Sequence, residues 1–169
     1  MTVLLALTSS LLWGVADFLG GKVSQRASTL SVVLISQSAG LLLALVTAAA
    51  SQTFSAPIGY LPWAAGAGLA GAGAALLFYR ALAVGTMSIV APLAALGVIV
   101  PVVIGLFGGN LPSVLSLAGI VIAICGVVTT AGVGSSGPRS SGHTQSILLA
   151  IGAAAGFGLL QYAISGGSR

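Results

Sequence analysis

Acidic side chains are all but missing from this chain. Asp17 is the only Asp or Glu among 169 residues, set against five Lys and Arg and one His. Charged residues make up 4% of the sequence, where a soluble domain carries roughly 25%. So few charges cannot coat a water-exposed surface of this size. With 57% hydrophobic residues and a mean hydropathy of +1.18, the composition points to an integral membrane protein. The single cysteine, Cys125, has no partner for an internal disulfide and sits in an apolar run, where a thiol behaves as a small hydrophobe. The single histidine, His143, has no Cys, Asp or Glu cluster around it, so no metal site is expected. The chain has no P-loop lysine motif, no nucleophile elbow and no carboxylate pair. ATP-driven transport within this chain and hydrolytic catalysis therefore lack residues, and neither an enzyme nor a cofactor is expected. The pI near 10 is not a nucleic-acid footprint, because Lys22, Arg26, Arg80, Arg139 and Arg169 are scattered and not clustered on one face. The start, MTVLLALTSSLLWG, lacks the basic n-region of a signal peptide and reads as a retained first helix.

What the chain does have is long apolar runs. A spanning helix needs about 20 mostly apolar residues. Six segments meet this: 3–21, 30–50, 61–84, 88–107, 114–133 and 146–164, the last being the shortest. The runs are continuous, not alternating, and too long for barrel strands. The expected fold class is therefore an all-α membrane protein, a polytopic bundle of about six transmembrane helices. The stretch GSSGPRSSGHT is the most linker-like, which sets expected units at 1–133, a linker at 134–145 and a final helix within 146–169. Lys22, Arg26, Arg80 and Arg139 all fall on one side of such a bundle, and by the positive-inside rule that side is cytoplasmic, with the N-terminus outside.

Residues 76–101 organise the rest. Two apolar helices meet at the two-residue turn Gly85–Thr86, which predicts antiparallel neighbours. Arg80 stands near the end of the first helix and Pro92 inside the second. A guanidinium in hydrocarbon must snorkel, pair or meet water, and a proline withholds one N–H from the helical ladder. In the first helix, Ser10, Trp13, Gly14, Asp17, Gly20 and Gly21 share one face by i, i+3, i+4 spacing. Two readings of Asp17 stand: a proton- or cation-responsive group lining a watery cavity with Trp13 as its wall, or an interfacial carboxylate that meets headgroup water or pairs with a base. Helices one and three run in the same direction, so an Asp17–Arg80 pair is geometrically open, either as a permanent tie or as a gate. Gln37, in the second helix, either bonds to a neighbouring helix or meets ligand. Tyr79 is either a cavity residue or an interfacial anchor, and Pro92 and Pro101 either kink the fourth helix or are simply tolerated. Gly105 with Gly109, and Gly152 with Gly156, have the spacing of close helix approach, within the bundle or in a dimer.

The runs LLWGVADFLGG, FYRALAVGTMSIVAPLAALGVIVPVVIGLF and LAGIVIAICGVVTTAG, in that order, resemble the EamA-type domain of the drug/metabolite transporter superfamily. The resemblance covers about residues 3–133, one five-helix half. It implies a secondary carrier of small metabolites or drugs in the cytoplasmic membrane, whose members usually have two halves in inverted orientation. It implies a cavity lined by helices one, three and four of the first half, which by position places Trp13, Asp17, Tyr79, Arg80 and Pro92 near it. Where the family commonly has Gly-Glu after the fourth helix, this chain has Gly109–Asn110. It also implies a cytoplasmic N-terminus, against the charge count above. The residues after 145 then read as the first helix of a second half, so the expectation is an incomplete carrier that works with a second half or as a homodimer. The alternative is a non-transporting helical membrane partner or an inactive remnant. Expected partners are the lipid bilayer and a small-molecule substrate, with no nucleic acid.

Overall fold

The structure, a computed structural model, describes residues 2–51, 58–109, 113–133 and 143–167. Among them the chain is helical, with no strand. The helices are α1 (Thr2–Ser24), α2 (Thr29–Ser51), α3 (Leu61–Val84), α4 (Met87–Ala95), α5 (Ile99–Phe107), α6 (Val114–Val133) and α7 (His143–Gly167). A 3₁₀ turn, Leu96–Val98, joins α4 to α5, so the two form one interrupted span, Met87–Phe107. Five of the spans are long and apolar enough to cross a membrane, and α6 adds a shorter apolar helix. This is a multi-pass helical membrane protein.

Each break has a local cause. Pro92 brings no N–H to the ladder of α4, and Pro101 brings none to the carbonyl of Gly97 four residues before it. Between the two prolines the hydrogen bonding tightens to i→i+3, as Leu96 N–H donates to the Leu93 carbonyl. The span expected as one helix over 88–107 is thus two short helices joined by a 3₁₀ turn. At the other break, α3 ends where Gly85 N–H donates to the Ala81 carbonyl at 2.8 Å. Gly85 has an ordinary extended backbone, φ −120°. Its need for glycine is spatial, because the Ser146 side chain of α7 occupies the room a Cβ would take.

The Gly85–Thr86 turn does join α3 to α4, yet the principal neighbour of α3 is α7. Gly85 meets Ser146, Leu77 meets Gly152, Ala74 meets Gly156, Gly71 meets Leu160 and Trp63 meets Gly166. Numbers rising on one helix and falling on the other make the pair antiparallel along nearly its whole length. The Gly152/Gly156 spacing is used inside the bundle: Gly156 lies against the Ala74 side chain and the Ala70 carbonyl. Trp63 closes one end of the seam with an edge-on contact to Tyr162, centroids 6.1 Å apart. The core is Phe78, Ala81 and Leu82 of α3, Val90 and Ala94 of α4, and Ala150 and Ala153 of α7. Four of those seven are alanine, so backbones and not side chains set the spacing.

Two expectations need correction here. The stretch 134–145 is not all linker: His143, Thr144 and Gln145 form the first turn of α7, and the His143 carbonyl accepts from the Ser146 hydroxyl at 2.8 Å. Residues 134–142, with Arg139, lie outside the described residues, as do Asn110 and Arg169. The last span is not the shortest, because α7 runs 25 residues. It shares its core with α3 and α4 and is not set apart from them.

Among the described residues nothing lies within 4 Å of where a Cβ at Gly105 would be. Gly105→Ala is therefore expected to hold stability or raise it by up to about 1 kcal/mol, since alanine is the better helix former. Thermal unfolding in detergent checks this. A loss beyond that size would show that Gly105 faces a partner helix.

Candidate functional site

A cavity of about 640 Å³ lies between α1, α3, α4 and α7. Its walls are mostly carbon: Phe18 on α1, Phe78 and Leu82 on α3, Ala91 and Ala94 on α4, and Phe157 and Leu160 on α7. Phe78 and Phe157 meet edge-on across it, centroids 5.8 Å apart. Along the interrupted span the lining runs from Met87 to Val98, roughly 16 Å at 1.5 Å per residue. The 3₁₀ turn after Pro92 carries Gly97 and Val98, both of which belong to this wall. On the α1 side Trp13 is 64% exposed, so the cavity is a crevice open along that helix.

Three polar groups break the carbon surface: the Asp17 carboxylate, the Trp13 indole N–H and the Gln161 amide. Asp17 is half-buried. The Trp13 indole and the Tyr79 hydroxyl are the polar groups within reach of its carboxylate. Trp13 precedes Asp17 by one helical turn and so shares its face. Tyr79 comes from α3, and its ring lies over Gly20, one turn after Asp17; a Cβ at Gly20 would stand 2.7 Å from the ring. Next to it Gly21 admits Leu82 and Met87. The two glycines let α3 come close enough for the phenol to reach the acid. The face expected from the spacing of Trp13, Gly14, Asp17, Gly20 and Gly21 is thus one face in the structure, with its first three residues at the cavity and its last two at the contact. Ser10 is exposed and lies off the cavity lining.

Arg80 is elsewhere. Successive residues of a helix are 100° apart, so Phe78 and Arg80 point to nearly opposite sides of α3. Phe78 faces the first cavity and Arg80 a second one, with Ser24, Ser28 and Thr29. Asp17 is matched to the residue between them, Tyr79, and not to Arg80. Gln37 is exposed on α2 and lines neither cavity. Pro92 is half-buried and not in the cavity lining, and the 3₁₀ turn that lines it follows four residues later.

The sequence reading missed Gln161, Phe157 and Leu160, all from α7. The only available signal was an amide followed by a tyrosine in an otherwise apolar helix. Nothing local says which helix that amide faces. Gln25 was also passed over: its amide donates to the Leu82 carbonyl at 3.3 Å, tying the α1–α2 turn to the end of α3, where carbonyls lack helical partners. Among the described residues no group of three or more His, Cys, Asp or Glu could hold a metal ion.

Comparisons of the chain with protein-family models, with curated proteins and with solved structures found no match. The functional reading therefore rests on the chain's own residues.

Proposed function

We propose that this chain is a secondary transporter of small metabolites or drugs across the cytoplasmic membrane, working by alternating access. In this reading it is an EamA-type carrier of the drug/metabolite transporter superfamily. The observation that carries it is the crevice itself: about 640 Å³ among membrane-spanning helices, with the chain's one carboxylate in its wall. Its volume falls in the range of small-molecule sites, which are mostly apolar with a few converging polar groups. An ionisable residue that lines a cavity inside a membrane marks a substrate or ion path by default. The implied arrangement of helices one, three and four around a cavity agrees with the lining contributed by α1, α3 and α4. A second carrier half, or a second copy of the chain, would close the side along α1.

The walls favour a particular class of cargo. Four aromatic rings, Trp13, Phe18, Phe78 and Phe157, share the lining with a single carboxylate and no basic residue, and one of them already holds a cation, since the Lys22 ammonium stands over the Phe18 ring 5.6 Å from its centroid. Ring faces and a carboxylate both attract cations. An apolar molecule carrying a positive charge or an amino group fits, and an anion does not.

The test is flux in proteoliposomes that hold the purified chain, with ethidium and a panel of amino acids as probes and an imposed proton gradient as the drive. Ala91→Trp places an indole into the cavity from α4, where Ala91 is exposed to it. Wild-type liposomes are expected to move at least one probe above the protein-free rate, and Ala91→Trp to bring that rate near background. A blocked cavity that still passes the probe at the wild-type rate would sink the reading, as would no flux with any member of the panel.

A further inference from the structure

The second cavity, about 610 Å³, lies at the opposite face of α3 from the first. Its lining joins the α1–α2 turn (Ser24, Ala27, Ser28) and the start of α2 (Thr29, Leu30) to Leu76, Leu77 and Arg80 of α3 and Leu149 of α7. Three features converge there. Arg80 is a permanent cation, exposed on α3, and the only acidic side chain in the chain, Asp17, lines the other cavity. Arg80 therefore has no carboxylate in its own cavity. α2 starts at Thr29 with Ser28 at the N-cap position, so the N–H groups of its first turn, which lack intrahelical acceptors, and the positive end of a 23-residue helix open at the same place. Ser24 is 6% exposed, and among the described residues its buried hydroxyl has no hydrogen-bond partner. A buried orphan hydroxyl costs free energy unless something meets it.

We propose that this cavity binds a phosphate group. An uncompensated guanidinium, the open N–H groups of a helix N-terminus and an unpartnered hydroxyl make a set of donors with no acceptor charge, which is what a tetrahedral oxyanion requires. The remaining walls, Leu30, Leu76, Leu77 and Leu149, are aliphatic. Phosphate can reach the site as the headgroup of a membrane lipid or as the free anion. Leucine walls next to the donors suit the glycerol and first methylenes of the former. Arg80 is about 6 Å from the end of α3, so the donors sit at headgroup depth and not at the middle of the bilayer.

The experiment uses the full chain in a neutral detergent. One arm titrates phosphatidylglycerol against diacylglycerol with the same acyl chains, read by native mass spectrometry. The other measures radiolabelled inorganic phosphate by equilibrium dialysis at low salt. The expected result in at least one arm is binding that needs the phosphate and falls about tenfold or more in Arg80→Gln, the size of a charge-assisted hydrogen bond or two. Arg80→Lys keeps most of it, and Ser24→Ala weakens it by about threefold, as for a single neutral hydrogen bond. The double variant Lys22→Gln/Arg26→Gln, which removes two nearby positive charges outside the lining, leaves it unchanged. Binding confined to the lipid arm makes the ligand a headgroup, and binding of inorganic phosphate makes it the soluble anion. Helicity measured by circular dichroism separates lost binding from lost fold, and Ser24→Ala gives a reading where Arg80→Gln fails to fold. The site is overturned if diacylglycerol binds as well as phosphatidylglycerol and inorganic phosphate does not bind. It is equally overturned if Arg80→Gln and Ser24→Ala bind like wild type, or if the Lys22/Arg26 variant loses as much as Arg80→Gln. None of these outcomes depends on whether the first cavity transports anything.

Discussion

Asp17→Asn is expected to cut proton-driven flux by about tenfold or more while moving stability by no more than about 1 kcal/mol. The two parts of this expectation have separate causes. Asparagine keeps a carbonyl oxygen that can still accept from the Trp13 indole and the Tyr79 hydroxyl, so the contact between α1 and α3 survives. What it lacks is a charge and a titratable proton. Asp17 is the only acid in the chain, so no neighbouring carboxylate can take over. The dependence of flux on pH should flatten together with the rate. Proteoliposome flux over a range of pH, with thermal unfolding alongside, measures both parts. An Asp17→Asn protein that transports like wild type removes the carboxylate from the mechanism and leaves it as a tie to Tyr79. A protein that has lost its fold as well would show that the hydrogen bonds to the charged form hold α1 in place. Tyr79→Phe separates these, since it removes the interhelical donor and keeps the acid.

The largest stability effect is expected at Gly158. On α7 its Cα faces the Gly97 carbonyl and the Val100 side chain at the bend between α4 and α5, and a Cβ has no room there. Gly97 in turn lies against the backbone carbonyl of Ala154. Pro101 brings no N–H to the Gly97 carbonyl, and that carbonyl lies against the Cα of Gly158. Each glycine thus lies against a backbone carbonyl of the other segment, Gly158 against that of Gly97 and Gly97 against that of Ala154, a pair of weak Cα–H···O contacts in which the nearest atoms are backbone that cannot move aside. Gly158→Val should therefore cost about 3 kcal/mol or more, at or above the upper end for overpacking, because backbone must shift. Gly152→Ala on the same helix is the control. There the nearest atom, 3.0 Å away, is the end of the flexible Leu77 side chain, and the cost should stay below about 1 kcal/mol. Unfolding in mixed micelles with increasing dodecyl sulfate ranks the two. Equal, small effects would mean that α7 does not seat on the bend.

The residues that composition and spacing could settle are those whose meaning is local. The apolar runs are long, each with a chemical reason to end, so the helices could be placed nearly to the residue, as for Leu61–Val84 and Val114–Val133. The face of α1 that carries Trp13, Gly14, Asp17, Gly20 and Gly21 was legible for the same reason, since helical phase depends only on position. Neither the partner of Asp17 nor the site of Arg80 was legible. Both side chains were expected at the same depth because helices one and three run in the same direction, and the contacts of Gly20 with Tyr79 and of Gly21 with Leu82 have that direction. Depth says nothing of rotation, and two residues along α3 turn a side chain by about 200°. The phenol of Tyr79 therefore meets the acid, while Arg80 looks the other way.

The role of α7 was the other thing hidden. A helix whose residues are small and apolar on every side has no marked face, and Gly, Ala and Leu say little about what they touch. Its hydropathy was enough to place it in the membrane, but its place beside α3, and Gln161 with it, came only from packing. By itself, then, the amino-acid sequence determined the solvent, the number and approximate extent of the spans and the face of the first one, because each follows from forces within a turn or two of the chain. The tertiary structure decided which helix seats on which, that the acid and the arginine occupy different cavities, and that the last helix walls the first of them. Those outcomes depend on glycine-scale clearances between distant backbones, and such clearances exist only once the helices have met.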